Sequence, residues 1–287
     1  MKQSIKIVEC PRDAMQGIAK HIPTELKIRY LNELLQIGFD TLDFGSFVSP
    51  KAIPQLADTA EVLAGLDLSE TDTKLLAIVA NERGAEDACE FPEIHYLGYP
   101  FSISETFQLR NTRKTIEESL ELTKTLQSLC EKHKKELIVY ISMAFGNPYE
   151  DPWNMEIVEK WVKEMADIGV KTIALADTVG TADPDTIRQL FGSLIPKFPK
   201  VLIGAHFHSH PATRQEKLAA AWESGCRRYD VAMMGFGGCP FAKDDLVGNI
   251  STESLLAFCA ENKISTALDS KQISQSAETA REVFLVH

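Results

Sequence analysis

Long apolar runs are missing from this sequence. No stretch approaches the roughly 18 residues that a membrane helix needs, so a membrane-spanning protein is not expected. Basic residues are outnumbered: 30 Lys and Arg face 41 Asp and Glu, a formal charge of −11. That balance argues against the basic footprint of a nucleic-acid binder and against a polybasic membrane patch, while leaving room for a local basic pocket. Aromatic residues make up 8% of the chain and form no stacking stripe. Neither a P-loop nor a GxGxxG turn leading into a helix occurs, which removes the common phosphate and dinucleotide cradles. Low-complexity linkers and internal repeats are also absent. The cysteines Cys10, Cys89, Cys130, Cys226, Cys239 and Cys259 include no CxxC pair. The opening MKQSIKIVEC already reads as a strand and lacks an apolar leader or an Arg-rich transit pattern. Reduced thiols and a cytoplasmic location are therefore expected.

What is present is an ordinary globular profile, 44% hydrophobic and 25% charged over 287 residues. Eight short apolar runs read as strands: 5–10, 39–45, 74–80, 93–99, 136–145, 171–178, 201–208 and 227–235. Helical patterns fill the gaps. TELKIRYLNELLQIG repeats its apolar residues at i, i+3 and i+4 and stops at Gly38. RKTIEESLELTKTLQSLCEKH carries acids early and bases late, which suits the helix dipole. WNMEIVEKWVKEMADIG ends at Gly169, and DPDTIRQLFGSLI opens with an Asp cap and a Pro. Alternating strands and helices imply a parallel sheet. Eight such units in this length point to an α/β fold, a closed (β/α)8 TIM barrel. The short NERGAEDAC segment after the third strand keeps a doubly wound open sheet as the alternative. A single domain spanning 1–287 is expected, the barrel over about 5–262 and a C-terminal helical tail over 263–287.

In such a barrel the chemistry gathers at the C-terminal ends of the strands. Arg12, Asp13 and Gln16 follow the first strand, and Asp43 lies in the second. Asp177 closes the sixth, and His206 and His208 close the seventh. Cys239 and Asn249 follow the eighth. Side chains at i and i+2 share a face of a strand, so the two histidines point the same way. If that way is inward, they can hold one cation together with a third group such as Asp13. Imidazole and oxygen donors together suit Zn, Mn or Fe and can host Mg. The plain alternative is a pair of hydrogen-bonded rim histidines; Asp13 and Asn249 on the same rim favour the metal. His210 stands beyond the strand, before Pro211, where a loop or capping role fits. Cys239 sits in the glycine-rich GFGGCPF, where a thiol with a tuned pKa can exchange a proton. Arg12, following a buried strand, can stabilise charge developing on an oxygen. Asp177 and Asp43 each read equally as a helix cap or as a catalytic carboxylate.

VECPRDAMQ, GSFVSPKAIPQLAD, GNPYEDP, LADTVGTADP, AHFHSH and GFGGCPFAKDDLVGN, in that order over about residues 7–256, together resemble the 3-hydroxy-3-methylglutaryl-CoA lyases of the DRE-TIM metallolyases. The resemblance implies a (β/α)8 barrel with a divalent Mg or Mn ion, Zn being compatible. It places the metal ligands on Asp13, His206, His208 and Asn249. It places the catalytic arginine on Arg12 and the catalytic cysteine on Cys239. Asp43 stands where the family has a glutamate supporting the arginine. Asp177 matches an aspartate near the reacting group, and Gln16 a substrate-side glutamine. His206 or Asp13 is the expected base. An acyl-CoA thioester substrate, a retro-Claisen cleavage and a homodimer follow as expectations. A related aldolase, an acetyl-CoA-condensing enzyme and a metal-dependent hydrolase are the rivals. Three features depart from the family pattern. Ser209 replaces the aspartate of HxHD. The segment between Cys239 and Asn249 is one residue longer and reads KDDLVGN at its end. PRDAMQ replaces PRDGLQ.

Overall fold

The computed structural model describes residues 5–237 and 247–285. Eight strands run β1 Lys6–Glu9, β2 Thr41–Ser46, β3 Lys74–Ile78, β4 Ile94–Ser102, β5 Glu136–Ser142, β6 Thr172–Asp177, β7 Leu202–Phe207 and β8 Arg228–Val231. Each pairs in parallel with the next, and β8 returns to β1, with Val8 opposite Asp230. The sheet is therefore a closed barrel, and the open-sheet alternative is excluded. All eight strands fall within the expected apolar runs or overlap them closely, because each run is buried on both faces.

Helices α1 Pro11–Gln16, α2 Thr24–Leu35, α3 Thr59–Ala64 and α4 Glu82–Cys89 follow the first three strands. Then come α5 Glu105–Thr112, α6 Ile116–Lys132, α7 Met155–Ile168, α8 Pro184–Lys197, α9 Arg214–Glu223, α10 Thr252–Glu261 and α11 Ser270–Leu285. Local chemistry fixes their starts. Thr115 and Glu118 form a reciprocal capping box at α6, satisfying two otherwise orphaned N–H groups. Asp183 caps α8 ahead of Pro184. The weak segment after β3 does form a helix, because Asn81 accepts the Gly84 amide at 2.8 Å. Gly169 ends α7 at φ 101°, a conformation that costs a residue with a Cβ. No described helix is long and apolar enough to cross a membrane.

Two apolar clusters result. The larger fills the shell between barrel and helices. The smaller, Leu76, Ile78, Ile138, Tyr140 and Ala174, comes from the inward faces of β3, β5 and β6. The other half of the interior is ionic: Asp43, His206, Arg228 and Asp230 are all buried there. The tail helix α11 sits against α2, with Phe284 edge-on to Tyr30 at 5.7 Å and stacked on Phe236 at 4.9 Å. The five described cysteines are free and buried. Cys239 lies outside the described residues.

Candidate active site

β1 runs directly into α1. Pro11 occupies the first helical turn, where its missing N–H costs nothing. The short helix then sets Arg12, Asp13 and Gln16 at three- and four-residue spacings, on one face. Arg12 Nη1 reaches Gln16 Oε1 at 3.0 Å and Asp13 Oδ1 at 3.2 Å, and Gln16 Nε2 donates to Asp13 Oδ1 at 2.8 Å. From β2, Asp43 takes the other edge of the guanidinium, Nη2–Oδ2 at 2.5 Å and Nε–Oδ2 at 3.0 Å. Two donors to Asp43 and one to Asp13 orient the guanidinium plane. Burial pushes the Asp43 carboxyl up to about 6, with the Arg12 charge opposing.

Alternation along β7 turns His206 inward and Phe207 outward, where Phe207 packs on Phe145 and Phe191. His206 Nδ1 lies 3.2 Å from Asp230 Oδ2. Burial disfavours its charge, but the Asp230 contact outweighs that and raises its proton affinity. His208 Nδ1 lies 3.0 Å from the Thr178 carbonyl. A carbonyl only accepts, so Nδ1 carries the proton and Nε2 offers a lone pair. Burial and the neighbouring His206 push His208 down to about 4, keeping it neutral near pH 7. An isolated antiparallel bridge then sets Asn249 opposite His208. Asn249 Nδ2 donates to Asp13 Oδ2 at 2.6 Å and to the Phe236 carbonyl at 2.9 Å.

Among Asp13, His206, His208 and Asn249, two buried atoms are left without hydrogen-bond partners, His208 Nε2 and Asn249 Oδ1. His208 Nε2 stands 4.0 Å from Asp13 Oδ2. Donor atoms of Asp13, His206 and His208 all lie within 4.8 Å of one another. Burial works against ionising Asp13, yet the Arg12 charge, the two imidazoles and the Asn249 amide hold it down to about 2. A carboxylate, two imidazoles and an amide oxygen, buried together with one imidazole nitrogen and the amide oxygen unpaired, fit a divalent cation. A cavity of about 140 Å³ opens over them, with Arg12, Gln16 and Thr178 on its polar side and Val48, Ile53 and Ile78 on its apolar side.

Arg12, Asp13, Gln16, Asp43, His206, His208 and Asn249 are thus brought together. Asp177 is not. The last residues of β6 that line the cavity are Ala176 and, just beyond the strand, Thr178, while Asp177 Oδ2 is held by Lys217 of α9 at 2.6 Å and by the Ala182 amide at 3.1 Å. Those contacts are not those of the helix cap that the sequence left open for it, since Asp183 caps α8. His210 is exposed, in the turn before the Pro211–Thr213 helical turn.

Comparison with known proteins decides the family. The HMGL-like family model matches residues 5–280. The chain belongs to the HMGL-like family. A hydroxymethylglutaryl-CoA lyase of Bacillus subtilis is 32% identical over 272 residues, 95% of this chain and 90% of that protein. A Pseudomonas aeruginosa protein named as a 3-hydroxy-3-isohexenylglutaryl-CoA/hydroxy-methylglutaryl-CoA lyase is 30% identical over 270 residues, covering 94% and 89%. An HMG-CoA lyase structure from A. baumannii, in complex with coenzyme A and 3-methylmalate, superposes with a TM-score of 0.92 at 32% identity, covering 99% of this chain and 92% of that one. This HMGL-like chain is accordingly an enzyme of the lyase type on a TIM barrel.

Sequence reasoning missed Asp230 and Arg228. Both are buried on β8, with Arg228 Nη1 2.7 Å from Asp230 Oδ1. The signal was available: RYDV alternates charge with apolar residues inside a strand that must be buried, so both charges share its inward face. Glu9 was also missed. It is fully buried, accepting the Met233 amide at 2.7 Å and the Thr252 hydroxyl at 2.5 Å. No spacing announces that contact, which spans more than 200 residues.

Proposed function

We propose that this enzyme cleaves 3-hydroxy-3-methylglutaryl-CoA, or a close 3-hydroxyacyl-CoA, to acetyl-CoA and acetoacetate. The observation that carries the reading is one buried cluster: the oriented Arg12–Asp43 pair beside Asp13, with His208 Nε2 and Asn249 Oδ1 unpartnered. Asp13, His206, His208 and Asn249 would hold a divalent ion, magnesium or manganese. Once bound, that ion supplies Lewis-acid polarisation of the substrate's oxygens and lowers the pKa of its tertiary hydroxyl.

The chain's own residues do the rest. His206 or Asp13, both lining the cavity, accepts the hydroxyl proton; Asp230 stabilises His206 when it is charged. The C2–C3 bond breaks, its electron pair passes into the thioester, and the C3 oxygen becomes the ketone of acetoacetate. Arg12, immobilised by Asp43 and Gln16, faces the enolate oxygen and stabilises its charge without reorganising. The Cys239 thiol, outside the described residues, delivers the proton that turns the enolate carbon into the methyl of acetyl-CoA. Gln16 bridges Arg12 and Asp13 and meets the substrate at the mouth.

A panel of 3-hydroxyacyl-CoA thioesters, each incubated with Mg2+ or Mn2+ and read by product identity, tests this. Acetyl-CoA plus a ketone from a branched 3-hydroxyacyl-CoA is the expected result. Free acid plus CoA from every member would identify a hydrolase instead.

A further inference from the structure

Lys217 is a buried ammonium to which the chemistry above gives no role. It sits on α9 and is 2% exposed. An ammonium has three N–H donors, and burying it requires acceptors for them. Lys217 Nζ finds three: Asp177 Oδ2 at 2.6 Å, the Gly180 carbonyl at 2.9 Å and the His208 carbonyl at 3.1 Å. All three belong to the barrel rim, and the third is the main chain of a residue whose imidazole faces the cavity.

The same turn orients that imidazole. Thr178, between Asp177 and Gly180, supplies the carbonyl that receives the His208 Nδ1 proton. The Asp177 carbonyl also accepts the His208 amide at 3.3 Å. Gly180 makes the geometry possible. Its φ is +74°, and an added Cβ would stand 3.0 Å from Val247 and 3.4 Å from the His208 carbonyl. Ser209, which stands where the metallolyase pattern has an aspartate, is engaged locally: its hydroxyl contacts the His210 carbonyl at 3.1 Å and Thr213 at 2.9 Å.

We propose that Lys217 is a positioning residue for His208, its ammonium binding the strand end and the following turn into one unit that aims Nε2 at the cation. The inference rests on the metal-dependent reading of the site. Removing Lys217 leaves the His208 main chain tied to the turn that holds its ring by the 3.3 Å amide hydrogen bond to Asp177 alone. Outer groups that orient a metal ligand typically contribute 10- to 100-fold in affinity.

The test uses Mn2+ titrated into the purified, metal-free protein, with affinity read by electron paramagnetic resonance and imidazole nitrogen couplings by its pulsed form. Wild type, Lys217→Met and the double variant Lys217→Met/Asp177→Asn are compared, with thermal melting alongside. The double variant removes the unpaired Asp177 charge that could unfold the single one. Wild type is expected to bind one Mn2+ with two imidazole couplings. The variants are expected to bind about tenfold or more weakly, with one coupling lost and a cooperative melt retained. Wild-type affinity with both couplings in the folded variants overturns the positioning role alone. A double variant that does not fold assigns the pair to the fold and overturns it too. Wild-type protein that takes up no Mn2+ overturns the metal reading itself, and the positioning role with it.

Discussion

Asp43 and Arg12 meet edge to edge inside the barrel mouth, with Nη2–Oδ2 at 2.5 Å and both side chains nearly sealed from water. The pair fixes a positive charge at the place where the proposed reaction develops a negative one. Arg12→Lys keeps a charge but loses the planar fork. It is expected to lower kcat/KM by about 100- to 1,000-fold, with Mn2+ affinity little changed. Asp43→Asn leaves the buried guanidinium with Asp13 as its remaining counter-ion, and urea unfolding should show about 1.5–3 kcal/mol lost with the charged hydrogen bonds.

His208→Ala removes an imidazole whose Nε2 has no other partner. Stoichiometric Mn2+ binding should disappear from the titration, and activity removed by a chelator should not return on adding Mn2+ at levels that restore wild type. Tight binding of one Mn2+ by this variant would refute the ligand role.

Cys239→Ala tests the proton donor. Turnover should nearly vanish while Mn2+ affinity stays at the wild-type value. Unchanged turnover would take the thiol out of the reaction.

Glu9 gives a pH dependence of stability. Burial raises its carboxyl from 4.5 to about 8, against the opposing hydrogen bonds from Thr252 and Met233. Between those values the folded chain keeps a proton that the unfolded chain releases. The sign is therefore a stability that falls as pH rises through this window. Tm measured from about pH 5 to about pH 8 should decline more steeply for wild type than for Glu9→Gln. Equal slopes would show that Glu9 does not titrate there.

The barrel was legible because each strand is a short apolar run followed by a helical pattern, capped by a side chain at α4, α6, α7 and α8, and both signals are local. Arg12, Asp13 and Gln16 could be read from their spacing after a buried strand, and His206 and His208 from alternation. Asn249 could be placed on the rim, but its pairing with Asp13 bridges 236 residues, and only chain closure creates it. Asp177 shows the limit of reading strand ends. A carboxylate at the end of a strand points in or out by parity, and here Thr178, one residue on, faces the cavity while Asp177 turns to α9. Lys217 lies on a helix with no unusual local pattern, and its role depends on which strand that helix covers.

The central claim is cleavage of a carbon–carbon bond with return of a solvent proton to carbon. Mass spectrometry of the products from 3-hydroxy-3-methylglutaryl-CoA, turned over in D2O with Mn2+, tests it most directly. The account predicts acetoacetate and acetyl-CoA in equal amounts, the acetyl methyl carrying one deuterium per turnover. Intact 3-hydroxy-3-methylglutarate and free CoA, or acetyl-CoA without deuterium, would contradict it.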